Sequence, residues 1–443
     1  MFDAIVARGA AAAAVTDEAW LQAMLDAEAA LARALARAGL IEEGEAEAIA
    51  AACHADRFDA AAIAAAAAGS GNPVVPLKAA LTGAVDGPAA RHVHRGATSQ
   101  DILDSAAMLV TARALAPLLE DVGGAASAAA DLARAHRDTP MAGRTLLQQA
   151  VPVTFGLKAA GWLAGLDDAR RWLEEIRLER LAAQLGGAAG TLASLGDAGP
   201  QVASAYAELL GLAEPVLPWH TQRGRIGELA SALAVLSGAV AKTARDIVLL
   251  SQTEVAEVRE GARSGDERAA RGGSSTMPHK RNPVAAICAL GCAQQTPGLA
   301  ATLLGAMAHE HERAAGSWHA EWRPLGELLR STGSAVAWLR ESLEGLEVDP
   351  ERMRANLELT GGRVMAERVA AALERGGDER AARGSGPDAH QRMADAARGE
   401  DFRAAVGDLL GAEAVEVLLD PVGYLGSAGT FVDRALDDHD REG

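Results

Sequence analysis

Apolar side chains recur three and four residues apart through most of this chain, the spacing that gathers them on one face of a helix. The pattern predicts an amphipathic helix from Asp17 to about Gly39, opened by Thr16 as a cap with Asp17 and Glu18 in its first turn. Long helices are predicted from Asp101 to about Asp138, Val153 to Leu185, Ile226 to about Val258, Asn282 to about Arg313 and Glu321 to Leu343. These are apolar over much of their circumference, more than one small monomer buries, which predicts a bundle that also covers surface against partner chains. Residues 1–98 read as short helices separated by turns, and the alanine run 60–68 ends at Gly69-Ser70-Gly71-Asn72-Pro73. Asp349-Pro350 opens a smaller helical segment, with Pro suited to a first helical turn; within it the Gly-, Arg- and Asp-rich stretch 375–389 reads as a loop. Few stretches alternate as strands do. The expectation is an all-α fold in three parts, 1–98, 99–347 and 348–443, with five long helices at its centre.

Composition supports the helical reading and narrows the function. Hydrophobic residues make 49% of the 443 and aromatics only 3%, so alanine carries much of the apolar content and favours helix. A net charge of -18 argues against nonspecific nucleic-acid binding, which needs a basic surface. It leaves room for an anionic substrate in a locally basic pocket. Three cysteines, Cys53, Cys288 and Cys292, cannot build a disulfide framework, which points to a reducing cytoplasm. Cys288 and Cys292, four apart, read as small buried residues rather than metal ligands. Asp3 and Arg8 interrupt the start, so no signal peptide is read there. Segment 229–250 carries Lys242, Arg245 and Asp246 and reads as a core helix, not a membrane span.

The densest polar island is Gly272 to Pro283, GGSSTMPHKRNP. Glycines and small hydroxyls suit a loop whose backbone approaches a ligand. Lys280 and Arg281 bring positive charge, Asn282 neutral donors and acceptors, and N–H groups around Gly273 and Met277 can hold an oxyanion. Together they suit proton removal from carbon beside a carboxylate. This island resembles the signature loop of the fumarase/aspartase superfamily, whose members eliminate across a C–C bond next to a carboxylate. The resemblance implies that Ser274 is the catalytic base, with Lys280 and Asn282 beside it, and that Ser275, Met277 and His279 line the substrate; the residues alone do not separate Ser274 from Ser275. His279, before the lysine, is more similar to the adenylosuccinate lyase and carboxymuconate cycloisomerase branches than to fumarase. The resemblance further implies a tetramer whose sites draw on three chains, with no metal or organic cofactor.

Four more islands extend the resemblance over nearly the whole chain. His94-Arg95-Gly96-Ala97-Thr98-Ser99-Gln100-Asp101 sits before a long helix, where Thr98 or Ser99 can cap and Asp101 suits the positive helix end. Hydroxyls and free N–H groups there also suit a carboxylate. The family pattern places Thr98, Ser99 and Gln100 on substrate and His94 in the pocket wall. Gly143 to Ala150 resembles the family's second region through Arg144, Thr145 and Gln149, but Leu146 stands where the lyases carry the histidine that protonates the leaving group. An amine or hydroxide leaves badly without an acid; a carboxylate, with a conjugate-acid pKa near ~4, leaves unaided. Loss of the acid with the serine loop kept therefore points to the lactone-forming cycloisomerase branch. Pro218 to Arg223, which contains His220, and the stretch from His309 through Arg313 to Trp322 are similar to the same branch, and His309-Glu310-His311 is not a zinc motif. The resemblance assigns His220 and Arg313 to the substrate pocket; individually His220 and His319 read as pocket-wall or structural residues rather than catalysts. Two other readings stay open: an adenylosuccinate-lyase-like eliminase that borrows His94 or His220 as its acid, and a helical oligomer without catalysis.

Overall fold

The computed structural model describes residues 2–261, 272–273, 276–277, 279–381, 389–399 and 401–442. Ser274, Ser275 and positions 262–271 of the charged stretch preceding the signature loop lie outside the described residues. The described chain is helical, with two small antiparallel ribbons among the described residues. It divides into two compact units: Met1–Gly123, Asp168–Ala241 and Cys288–Leu339 form the first, and Gly124–Asp167, Lys242–Ile287 and Arg340–Gly443 the second.

The first helix of the pattern runs Asp17–Arg37, with the Thr16 hydroxyl accepting from the Ala19 N–H at 3.2 Å. The long helices are Ser99–Ala135, Phe155–Glu175, Gly224–Leu250 and Ser317–Glu344. Residues 100–110 of the Ser99 helix are all buried, two aspartates among them. The helix expected over 282–313 is instead two, Val284–Ala293 and Thr296–Gly305, because Pro297 has no N–H to continue the first and suits the opening turn of the second. The Phe155 helix stops short of Leu185; after a π-turn at Ile176–Arg180 the backbone unwinds, freeing N–H groups at Gly186 and Gly187 for another partner. In the stretch read as a loop, helix Ala366–Ala381 reaches well past 375.

Strands β1 (Pro140–Thr145) and β2 (Gln148–Thr154) form a hairpin that the helical pattern does not foresee. A second ribbon pairs β3 (Val258–Glu260) with β4 (Leu346–Val348). In the second unit Phe155 and Trp162 stack edge to face at 5.7 Å, and the Trp162 indole donates to Asp246 at 2.8 Å. A separate cluster there, centred on Met365, Val369, Phe402 and Val406, packs the C-terminal helices. The cysteines are free thiols; burial pushes Cys53 up to about 12 and Cys292 up to about 11, as expected of small buried residues, while Cys288 is only half-buried, unlike the expectation for it.

Candidate active site

In the first unit the site residues gather at the start of the Ser99 helix. Asp101 is fully buried and takes four hydrogen-bonding partners: the N–H groups of Thr98, Gly186 and Gly187, each donating at 2.9 Å, and His220 Nε2 at 2.7 Å. The bond to Thr98 is one half of a capping box, so the aspartate, not a hydroxyl, caps this helix. The Thr98 and Ser99 hydroxyls, both half-buried, have no partner among the described residues and are free to bind a ligand beside the orphan N–H groups of the first turn. Gln100 is buried and engaged at both ends: Nε2 donates to Asp104 at 3.1 Å and to the His220 carbonyl at 2.8 Å, and Oε1 accepts from Arg313 at 2.8 Å. Arg313 also donates to the carbonyls of Gly187 and Ala188. His94, in the left-handed region at φ 63°, sets Nδ1 2.6 Å from Glu28, itself buried.

Behind this turn lies a buried ionic cluster. Arg223 reaches both Asp104 oxygens at 2.8 and 3.1 Å and turns its Nε to Glu321 at 3.0 Å. Burial pulls the Arg223 pKa down, but Asp104 and Glu321 outweigh it and hold it above its ordinary value. The Trp318 indole donates to Asp104 at 3.0 Å, and His309 Nε2 lies 3.2 Å from Glu321.

The second unit carries the rest. Arg144 and Gln149 pair across the hairpin, and Leu146-Leu147 form its two-residue turn with φ of 52° and 65°. Positive φ at both turn positions matches the twist of the strands but suits Asn-Gly far better than leucine. Leu146 is 96% exposed, so the position that the resemblance matches to the lyases' acid is an apolar tip. Arg144 forks onto buried Glu257 at 2.7 and 2.9 Å, which also accepts from Asn356 at 2.8 Å. Gln149 donates to the Asn356 carbonyl at 2.9 Å, while Thr145 is exposed. Burial lowers the pKa of Lys158, the nearby charges of Asp246 and Glu257 working against it.

The signature loop is closed at its stem. The Gly272 carbonyl accepts from the Asn282 backbone N–H at 2.9 Å and from its Nδ2 at 3.1 Å, and Gly273 bridges to Arg281. Met277 is partly exposed, its carbonyl accepting from the Lys280 N–H. The Lys280, His279 and Arg281 side chains are exposed and have no partner among the described residues. With Asn282 they line a cavity of about 910 Å³, within the size range of small-molecule sites. The proposed base, Ser274, and its neighbour Ser275 lie outside the described residues, so the geometry speaks for the stem and not for them.

Glu28, Asp104, Glu257 and Asn356 escape a sequence reading centred on polar islands, and Glu321 stands within the His309–Trp322 island without being singled out there. A signal exists for one: Asp101 and Asp104 stand in DILDSAAMLV, an otherwise apolar helical run, and a charge on a buried face requires partners.

The family model described as "Lyase" matches residues 5–298. A 3-carboxy-cis,cis-muconate cycloisomerase of Pseudomonas aeruginosa is 47% identical, covering 99% of this chain and 96% of that protein. A nitrosuccinate lyase of Streptomyces davaonensis is 48% identical, over 97% of this chain and 92% of its own length. The crystal structure of a 3-carboxy-cis,cis-muconate lactonizing enzyme from Pseudomonas putida superposes with a TM-score of 0.90 at 42% identity, covering 100% of this chain and 99% of that one. Matched in sequence and fold from end to end, this chain belongs to the lyase family of the fumarase/aspartase superfamily.

Proposed function

We propose that this enzyme is a 3-carboxy-cis,cis-muconate cycloisomerase, interconverting its tricarboxylate substrate and 4-carboxymuconolactone. Full-length likeness to cycloisomerases supports the branch. The observation that carries the chemistry is Leu146, an exposed apolar tip where the lyases keep their acid. A lactone opens by expelling a carboxylate, which needs no proton.

In lactonisation one substrate carboxylate attacks the carbon bearing the 3-carboxylate. The new C–O bond pushes the π electrons onto the neighbouring carbon and its carboxylate, an enediolate-like species. Ser274 delivers the proton to that carbon, and removes it in reverse. Lys280, Asn282 and the loop N–H groups stabilise the charge as it develops. The Thr98 and Ser99 hydroxyls, which have no partner among the described residues, receive one of the other carboxylates. Serine is a weak base, and the positive charge of Lys280 and Arg281 near the loop favours its ionised form. The chemistry calls on no metal or organic cofactor. The proposal includes the three-part division at 98 and 347, a homotetramer with sites shared between chains, and a cytoplasmic location, the last supported by three free thiols.

A second reading, nitrosuccinate lyase activity, draws on the same leucine, since nitrite is also a weak base that leaves unprotonated, and on the 48% identical relative. The decisive experiment follows the ultraviolet loss of conjugated diene when purified enzyme meets 3-carboxy-cis,cis-muconate, with Ser274→Ala as control and nitrosuccinate as competitor substrate. Rapid loss that slows roughly hundredfold or more in Ser274→Ala supports the proposal. Turnover of nitrosuccinate alone replaces it with the second reading, and loss that survives the substitution moves the base to Ser275.

A further inference from the structure

We propose that Arg223 is a positioning residue for this reaction: it holds the first two turns of the Ser99 helix, and with them the Thr98 and Ser99 hydroxyls, in the geometry that receives a substrate carboxylate. The inference rests on the functional reading above for the identity of that substrate.

Asp101 and Asp104 are three apart on one helix face and both are buried. Asp101 is held by backbone N–H groups and His220. Asp104 depends on side chains alone: two N–H groups of Arg223, the Trp318 indole and the Gln100 amide. Without the guanidinium, two neutral donors are left to hold a buried carboxylate, an arrangement that buried charge does not tolerate. The helix start would shift to reach water or another donor. Gln100 would move with it, because its amide links Asp104, the His220 carbonyl and Arg313. Ser99 and Thr98 directly precede it in the chain.

The guanidinium fork is specific to this job. Arg223 spans two carboxylates, Asp104 on the Ser99 helix and Glu321 on the Ser317 helix, and lies 4.7 Å from the Trp219 ring centroid. Five donors in a plane can serve both acids at once; the compact ammonium of lysine cannot. The islands Pro218–Arg223 and Gly316–Trp322, which look like site segments in the sequence, thereby share one role. Trp219, Arg223, Trp318 and Glu321 form the buried frame behind the substrate-facing turn.

A fold-stabilising role and a positioning role predict different measurements. The test uses full-length Arg223→Lys and Glu321→Gln, with Phe402→Leu in the separate C-terminal cluster as a control for general destabilisation. In both cluster variants KM for 3-carboxy-cis,cis-muconate should rise at least roughly tenfold while kcat changes less than about threefold. Amide hydrogen exchange at Thr98 and Asp101 should quicken at least roughly tenfold, and Phe402→Leu should move neither quantity. Unchanged exchange and unchanged KM in Arg223→Lys overturn the proposal, as does a KM rise that the control reproduces. Should wild-type enzyme ignore this substrate, the functional reading fails by itself. Exchange at Thr98 and Asp101 then decides: quickened in Arg223→Lys it supports the positioning role, unchanged it overturns it.

Discussion

Replacing Gly272 by alanine tests whether the signature loop depends on its own stem. Gly272 sits at φ 79°, and its carbonyl accepts two hydrogen bonds from Asn282. A Cβ at this position would stand 2.3 Å from the Asn282 carbonyl oxygen, backbone that cannot swing aside as a side chain would. The left-handed conformation costs an L-residue roughly 1–2 kcal/mol. The two hydrogen bonds lost on relieving the clash contribute about 1 kcal/mol each. Together these oppose the closed stem by roughly 3–4 kcal/mol. At about 1.4 kcal/mol per decade, the closed population falls by a factor of roughly one hundred or more. The strain is relieved by opening a loop, not by unpacking a core, so the melting temperature should move by less than about 2 °C while kcat/KM for diene loss drops about a hundredfold. A Gly272→Ala enzyme within threefold of wild type would refute the reasoning.

Two further expectations follow from the same geometry. The Thr98 hydroxyl has no partner among the described residues, so Thr98→Val should leave stability within about 0.5 kcal/mol of wild type. If that hydroxyl holds a substrate carboxylate, kcat/KM should fall by roughly ten- to a hundredfold, the worth of a hydrogen bond to a charged group; an unchanged value removes Thr98 from the site. At the C-terminus, hydrogen bonds from Arg137 and Arg134 hold Asp433 and Asp440 below the usual aspartate range. A depressed folded-state pKa gives support that is present above the unfolded value near ~4 and is lost as pH falls through the folded one. These pairs are exposed, so the effect is small and screened by salt. Protection factors of the Ala428–Glu442 amides, exchange rates taken relative to the free peptide at the same pH, should fall below pH ~4 and in high salt at neutral pH, and protection indifferent to both would remove the pairs from the account.

The helical class was legible because alanine, leucine and spacing agree over long windows, and Thr16 and Pro350 mark helix starts in the way their chemistry dictates. The broken helix 284–305 was readable in principle: Thr296-Pro297 is an opening signature, overridden by the apolar run on either side. The β1–β2 hairpin was not readable, since its turn is Leu146-Leu147 rather than the Asn-Gly that announces a two-residue turn. Polar islands pointed to positions where hydroxyls and an ammonium have no partner among the described residues, Thr98, Ser99 and Lys280. They could not tell these from Gln100 and Arg144, whose polar ends are taken up by Asp104 and Glu257. Partner choice over a hundred residues of chain is a property of packing, and one sequence carries no trace of it.

Leu146 bears on how this chemistry can change over generations. At 96% exposure its side chain gives up almost no packing in the chain when replaced, so substitutions there fall among those that leave stability nearly untouched. Leucine and histidine codons differ by as little as one base. The position where the resemblance puts a proton donor can thus acquire one by as little as a single base change, with little folding penalty within the chain to filter the attempt. If position 146 governs the leaving group as the resemblance implies, catalytic repertoire and the stability of the chain are uncoupled at this tip, and a lineage can explore leaving groups there without first acquiring spare stability.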